Sequence, residues 1–341
     1  MTTLPHRLGR SAHLRLGVTG DGPRAEKWMQ TVLGANGQIA VELAKELNRA
    51  YDTGLRLVSR NPRAVSATDE LVRADLLDAD QTAAAVAGSD VVYFTAGLPA
   101  DTALWQAQFP TMLRNALDAA RGARAKFAYF DNTYMYPQDD RIQRESTPFA
   151  PVGPKGRVRA EMATMVLDEM ARGDIPVLIA RAPEFYGPGR TQGFTNSLVI
   201  DRLKAGKTPI VPVRDDRRRT LIWTPDASRA LAALGNAPDA FGQTWHLPVD
   251  EDRLTYRGFV GAAAAAFDRA PRYRVAPEWV LRAAGVVSPA AREIGELLPR
   301  YRSDNLFDST KFREAFPEFR VTSYREGLDA IRREHDAART S

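Results

Sequence analysis

Cysteine is absent from this 341-residue chain. Its absence excludes disulfide bridges, thiolate metal ligands and a cysteine nucleophile. No run of eighteen or more apolar residues occurs, so no membrane-spanning helix is expected. Histidine is scarce, with four in all, and none stands at metal-ligand spacing. His6 and His13 fall near the start and His246 follows Trp245 in an apolar stretch, so no metal site is expected. A basic stripe interleaved with aromatics is also missing. The formal net charge is +5, but Arg7, Arg10, Arg15, Arg24 and Lys27 against Asp21 and Glu26 place a net +3 of it in the first 28 residues. Nucleic acid is therefore not expected as a partner. Residues 1–28 show neither strand nor helix period and no apolar signal core. They read as a disordered extension of a cytoplasmic protein rather than a secretory leader.

What the chain does have is a hydrophobic content of 44%, enough for a substantial core, and one informative turn. Thr31-Val32-Leu33 reads as a short strand that runs into Gly34-Ala-Asn-Gly37-Gln-Ile-Ala40. Ile39, Val41, Leu43, Ala44 and Leu47 then follow at roughly helical spacing. Gly34 permits a tight bend and Gly37 lets the backbone approach a pyrophosphate, which the free N–H groups of the helix start would face.

Further apolar runs alternate with helical patterns. Strands are expected at 55–58, 72–76, 89–97, 126–130 and 176–180. Helices are expected at 79–87, 102–121 (broken or kinked at Pro110) and 155–172. This alternation predicts an α/β protein with a doubly wound parallel sheet, a Rossmann domain over 29–190. Right-handed crossovers bring all strand carboxyl ends to one edge, where ligands bind. Beyond 190 the pattern changes to short apolar pieces at 209–212, 220–223 and 243–247. Helices near 196–205, 226–236, 255–267 and 290–298 lie among them. They make a smaller α/β substrate lobe over 191–335, interleaved with the first domain.

In order along the chain stand Gly34-Ala-Asn-Gly37-Gln-Ile-Ala40, Asp75-Leu76, Thr95-Ala96-Gly97, Arg181-Ala-Pro-Glu-Phe-Tyr-Gly-Pro-Gly189, Arg219 and Asp226, and Asp308-Ser-Thr-Lys311. In these elements the chain resembles the extended short-chain dehydrogenase/reductases, the NAD-dependent epimerase/dehydratases, over about 29–330. The resemblance implies a nicotinamide dinucleotide cofactor and a small-molecule substrate. It also raises a possible homodimer, for which the sequence carries no interface signal. Two departures stand out. The third glycine of the turn is Ala40. The family's Tyr-x-x-x-Lys pair is missing: aligned on Glu161, its positions fall on Gly153 and Arg157, and the family's serine position falls on Asn132. Lys155-Gly-Arg-Val-Arg159 is similar instead to the Lys-Ala-x-x-Arg element of atypical, NADPH-dependent isoflavone and phenylcoumaran ether reductases, which use that lysine for proton transfer.

The cofactor is expected against Gly34, Asn36, Gly37, Gln38, Ile39, Ser59, Arg60, Asp75, Leu76, Thr95, Ala96, Gly97, Lys155 and Pro183. The end of the second strand offers Ser59-Arg60 where a 2′-hydroxyl reader would carry a carboxylate. That points to NADP, whose 2′-phosphate suits a guanidinium, over NAD. Asp75 is read as an acceptor for the adenine amino group, or otherwise as a helix cap. The catalytic candidates are Lys155, Tyr134 and Asn132, with Lys155 or a tyrosine supplying a proton. Tyr134 and Tyr136 cannot face the same way in extended chain. Tyr136, Tyr186 and Arg219 are expected to line the substrate pocket, Arg219 as the arginine that sugar-nucleotide epimerases place on a diphosphate. Three activities follow: NADPH-dependent reduction of a small organic substrate, sugar-nucleotide epimerisation or dehydration, or non-catalytic NADP sensing.

Overall fold

The computed structural model describes residues 28–340 apart from 190, 192, 289–291 and 294. Except for Trp28, the extension expected over 1–28 lies outside the described residues, as does part of the helix expected near 290–298. The first half runs β1 (Met29–Leu33), α1 (Gln38–Ala50), β2 (Gly54–Ser59), β3 (Glu70–Arg73), α2 (Ala79–Val86), β4 (Val91–Phe94), α3 (Thr102–Ala123), β5 (Lys126–Asp131), β6 (Ile142–Gln143), α4 (Gly153–Arg172), β7 (Val177–Arg181) and β8 (Glu184–Tyr186). The second half adds α5 (Asp201–Lys204), β9 (Ile210–Pro212), β10 (Leu221–Trp223), α6 (Thr224–Gly235), β11 (Gln243–His246), α7 (Tyr256–Ala266), β12 (Arg274–Ala276), α8 (Glu278–Val287) and β13 (Leu306–Phe307). Two more helices follow, Thr310–Ala315 and Tyr324–Thr340. Among the described residues no helix is long and apolar enough to cross a membrane.

Seven strands form one sheet in the order β11-β7-β5-β4-β1-β2-β3, and every neighbour pair is parallel. Both faces of such a sheet are buried, so successive residues feed opposite cores. Val32, Leu57, Tyr93, Ala128 and Leu178 enter the core under α1 and α6. Their neighbours Leu33, Val58, Phe94, Tyr129 and Ile179 enter the core under α2, α3 and α4. A third core gathers Tyr186, Val199, Leu221, Trp223, Phe259 and Leu328 in the lobe. The main sheet takes its seventh strand, β11, from residues 243–246, well past the point where the pattern changes near 190. Ser228 of α6 donates to the Ile39 carbonyl of α1 at 3.0 Å.

Helix α3 does not break at Pro110. It is continuous across it, because Trp105, Phe109, Leu113, Ala116 and Leu117 all bury on the sheet. Packing outweighs the loss of one backbone hydrogen bond.

His246 is fully buried. Its Nδ1 faces the Asp308 carbonyl at 2.7 Å, and its Nε2 lies 2.8 Å from the Tyr136 hydroxyl. Those partners suit a neutral ring that donates to the carbonyl and accepts from the phenol. Burial, reinforced by Arg181, holds its pKa well below 6.5. The unfolded chain therefore holds the extra proton over the acidic range, and stability falls as the pH drops below about 6.5. Thermal unfolding between about pH 7.5 and 5.5 should show this loss, up to about 1.4 kcal/mol per pH unit from this group. His246→Gln should flatten it; an unchanged slope would refute the assignment.

Candidate functional site

The sheet order reverses between β1 and β4, and the crevice opens there, at the carboxyl ends of the strands. Gly34 begins the turn with φ +89°, in the left-handed region that favours glycine. A Cβ at Gly34 would lie 2.5 Å from Ala96 Cα, and one at Gly37 would lie 3.3 Å from the Gly34 carbonyl oxygen. At Gly34 the segment after β4 leaves no room for a side chain, whereas at Gly37 a Cβ would be tight against the turn. Helix α1 starts at Gln38 with no side chain capping it. Its first N–H groups therefore face the crevice as an anion cradle. Ala40 is fully buried in the core under α1, where its small side chain lets the helix lie close on the strand.

From this turn a cavity of about 1290 Å³ runs across the sheet edge. One end is walled by Gly34, Asn36, Gly37, Gln38 and Ile39, with Ser59, Arg60, Asn61, Asp75 and Leu76 beyond them. Asn36 donates to the Asn61 carbonyl at 2.7 Å, tying the first turn to the end of β2. Arg60 is exposed, and among the described residues no carboxylate engages it. Asp75 does not cap a helix: Asp78 caps α2 through the Gln81 N–H. Asp75 instead accepts the Leu77 N–H at 3.1 Å. Thr95 donates its hydroxyl back to the Leu33 carbonyl at 2.9 Å, which pins β4's end beside the turn, next to Ala96 and Gly97. This glycine cradle and its uncapped helix start fit a dinucleotide diphosphate.

The far end of the cavity is lined by Asn132, Tyr134, Lys155, Arg159, Pro183 and Glu184, together with Glu293, Arg300 and Tyr301. Asn132 accepts the Tyr134 N–H at 2.9 Å, which shapes the bend after β5. Tyr134 stacks on Trp105 with ring centroids 6.1 Å apart, and the Arg300 guanidinium sits 4.8 Å from its ring. Its hydroxyl has no hydrogen-bond partner among the described residues. Burial raises the phenol's pKa, while Arg300, Arg159 and Lys155 pull it down and Glu184 pushes it up.

Three expectations for the substrate pocket are corrected here. Tyr136 turns away from the cavity; its hydroxyl accepts from Arg181 Nη1 at 2.6 Å and bonds His246. Of the two, only Tyr134 faces the cavity. Tyr186 lies in the lobe core against Trp223, Phe259 and Tyr324. Arg219 is 2% exposed and is held by Glu184 at 2.8 Å, by the Arg300 carbonyl at 2.6 Å and over the Tyr301 ring at 4.4 Å. It is not free for a phosphate. Burial works against the Glu184 carboxylate, but Arg219 and Arg300 hold its pKa below the usual value. Arg300, which sequence reasoning missed, is the lobe's guanidinium at the cavity wall.

The family comparison decides the lineage. A family model described as the NAD dependent epimerase/dehydratase family matches residues 30–247. The chain belongs to that family. Among curated proteins no match was found. Solved structures resemble it over nearly their whole length. The UDP-glucuronic acid 4-epimerase from Bacillus cereus in complex with NAD has 16% identity and a TM-score of 0.72, covering 91% of this chain and 99% of that one. MoeE5 in complex with UDP-glucose and NAD has 19% identity and a TM-score of 0.72, covering 92% and 99%. The Thermus thermophilus UDP-glucose 4-epimerase complex with NAD has 15% identity and a TM-score of 0.71, covering 91% and 99%. At these identities the likeness establishes a shared fold.

Within this epimerase/dehydratase chain, neither position aligned with the missing Tyr-x-x-x-Lys pair lines the cavity. Gly153 packs on Glu296 and Arg157 is exposed. Lys155 and Arg159, one turn apart on one face of α4, are the pair that lines the cavity. Arg159 is buried over Trp105 and Phe109, 5.1 and 4.4 Å from their rings.

Proposed function

We propose that this protein is a nicotinamide-dinucleotide-dependent epimerase or dehydratase that acts on a sugar nucleotide or a substrate of similar size. The observation that carries this reading is the single cavity: at about 1290 Å³ it exceeds the roughly 300–1,000 Å³ of an ordinary small-molecule site. It therefore has room for a dinucleotide and a second molecule end to end. Family membership and the UDP-sugars and NAD named for the similar structures support the same reading. When bound, the nicotinamide supplies reversible hydride transfer at a substrate carbon. The protein's part is orientation and proton handling. The α1 start and the Gly34 turn hold the diphosphate, Ser59, Arg60 and Asp75 meet the adenosine half, and Thr95 to Gly97 floor the middle. Tyr134 gives and takes the substrate proton, and Arg159 and Arg300 bear on charge that develops there.

A second reading, net reduction that consumes NADPH, is favoured by unpaired Arg60 at the cavity rim. Calorimetry with NAD and NADP, alone and with Arg60→Ala, separates the cofactors. If the 2′-phosphate is read, the variant should lose about tenfold in NADP affinity and little in NAD affinity. A thermal-shift series with UDP-sugars in the presence of the bound cofactor tests the main reading. Stabilisation supports it; none with any nucleoside diphosphate sugar removes the sugar nucleotide as substrate.

A further inference from the structure

Lys155 is the largest polar commitment at the cavity's reacting end, and its three ammonium protons are already assigned. Nζ donates to Thr102 Oγ1 at 2.6 Å, to Glu296 Oε2 at 3.2 Å and to Glu293 Oε2. The side chain is 1% exposed. Glu293 Oε2 also accepts the Thr102 N–H at 3.0 Å and the Thr102 hydroxyl at 2.7 Å. Glu296 Oε1 takes the Lys155 backbone N–H at 2.6 Å. Thus two carboxylates from the 293–296 segment close on one ammonium, against the start of α3 and the start of α4.

We propose that Glu293 is the positioning residue of Lys155, holding it as a fixed cation at the cavity wall, so that Lys155 acts through its charge while the transferable proton belongs to Tyr134.

The geometry supports this. Every Nζ–H of Lys155 is directed at an acceptor, Thr102, Glu293 or Glu296, so its nitrogen presents no lone pair to the cavity. Burial pushes Glu293 up, but the bonds and charge of Lys155 and the bonds from Thr102 leave its pKa below the ordinary carboxylate value, so Glu293 stands as a carboxylate against Nζ. Tyr134 is the contrasting group. Its hydroxyl is unengaged among the described residues, and burial, outweighing the pull of Arg300, Arg159 and Lys155, raises its pKa so that the phenol holds a proton to give. A base near the substrate needs a free lone pair within reach; of the two, only Tyr134 offers it. The idea rests on the proposed function for its catalytic half but not for its structural half.

Acetylation of the full-length protein with acetic anhydride, followed by peptide mass spectrometry, reads Lys155 without any turnover. Lys155 is 1% exposed with its three N–H bonds engaged, so it should label many times more slowly than exposed Lys207. Glu293→Gln should raise the Lys155 rate severalfold with Lys207 unchanged, and Glu293→Asp should keep it slow. The aspartate variant also covers the case in which the glutamine variant does not fold. In turnover with the cofactor, Lys155→Arg should stay within about tenfold of the parent, whereas Lys155→Met and Tyr134→Phe should each lose about a hundredfold or more. Lys155 labelling as fast as Lys207, a rate indifferent to Glu293→Gln, or Lys155→Arg as inactive as Lys155→Met would overturn the proposal. The labelling arm stands or falls whatever the substrate proves to be.

Discussion

Gly34→Val is expected to abolish dinucleotide binding and to destabilise the protein by about 3 kcal/mol or more. Two costs add. The backbone sits at φ +89°, which a β-branched residue resists, and the new Cβ would fall 2.5 Å from Ala96 Cα and 2.7 Å from Ala96 N. Neither neighbour is a flexible side-chain tip that moves cheaply. Both belong to the end of β4, so relief means prising β1 from β4 at the crevice itself. Gly37→Ala is the matched control. Its φ is −70°, and its Cβ contact, 3.3 Å from the Gly34 carbonyl oxygen, calls for only a slight shift. It should fold within a few degrees of the parent Tm, yet bind the dinucleotide about tenfold more weakly, because the methyl intrudes where the diphosphate approaches. Calorimetry and thermal unfolding measure both quantities. A Gly34→Val protein with parental affinity would remove the turn from the cofactor site.

The second large effect lies deeper. Asp131 and Arg181 end neighbouring strands β5 and β7, paired in register, and their side chains are 0% and 1% exposed at 3.1 Å. Arg181 also donates to Tyr136, while its Nη2 has no partner among the described residues. Asp131→Ala therefore strands a buried guanidinium. A cost of about 3–5 kcal/mol is expected in urea unfolding, whereas the double replacement Asp131→Leu with Arg181→Met should cost much less. Removing the exposed Lys45–Glu42 pair should cost about 0.5 kcal/mol or less. Equal losses for the single and double variants would show that the ion pair itself, rather than its burial, carries the stability.

The parts of this molecule that read directly from sequence are local. The phosphate turn was legible because strand, glycine bend and amphipathic helix follow one another within twenty residues, and the doubly wound sheet because strand and helix periods alternate. What escaped depends on partners distant in the chain. Arg219 looks like a free phosphate ligand until β10 is laid beside β8, which brings Glu184 across to it. Arg300 and Glu293 lie in a segment with no motif, and only the chain's return over α3 and α4 gives them work at the cavity. Tyr134 and Tyr136 do part company, but residues 133–136 form a turn rather than extended chain, and His246 and Arg181 decide the outcome by capturing Tyr136. On α4, Lys155 and Arg159 were legible only through their likeness to a Lys-Ala-x-x-Arg element, since 153 with 157 has the same helical spacing.

One feature of the sheet bears on how the chain is made. β11, the strand beyond β7, is contributed by residues 243–246. A nascent chain emerging from the ribosome must wait for some sixty further residues after β7 before that slot is filled, and until then β7 hangs as an open edge able to pair with strangers. The two halves consequently share one sheet, and neither holds all seven of its strands. A gene cut near codon 190 would yield one fragment with a raw flank and another carrying an orphaned strand.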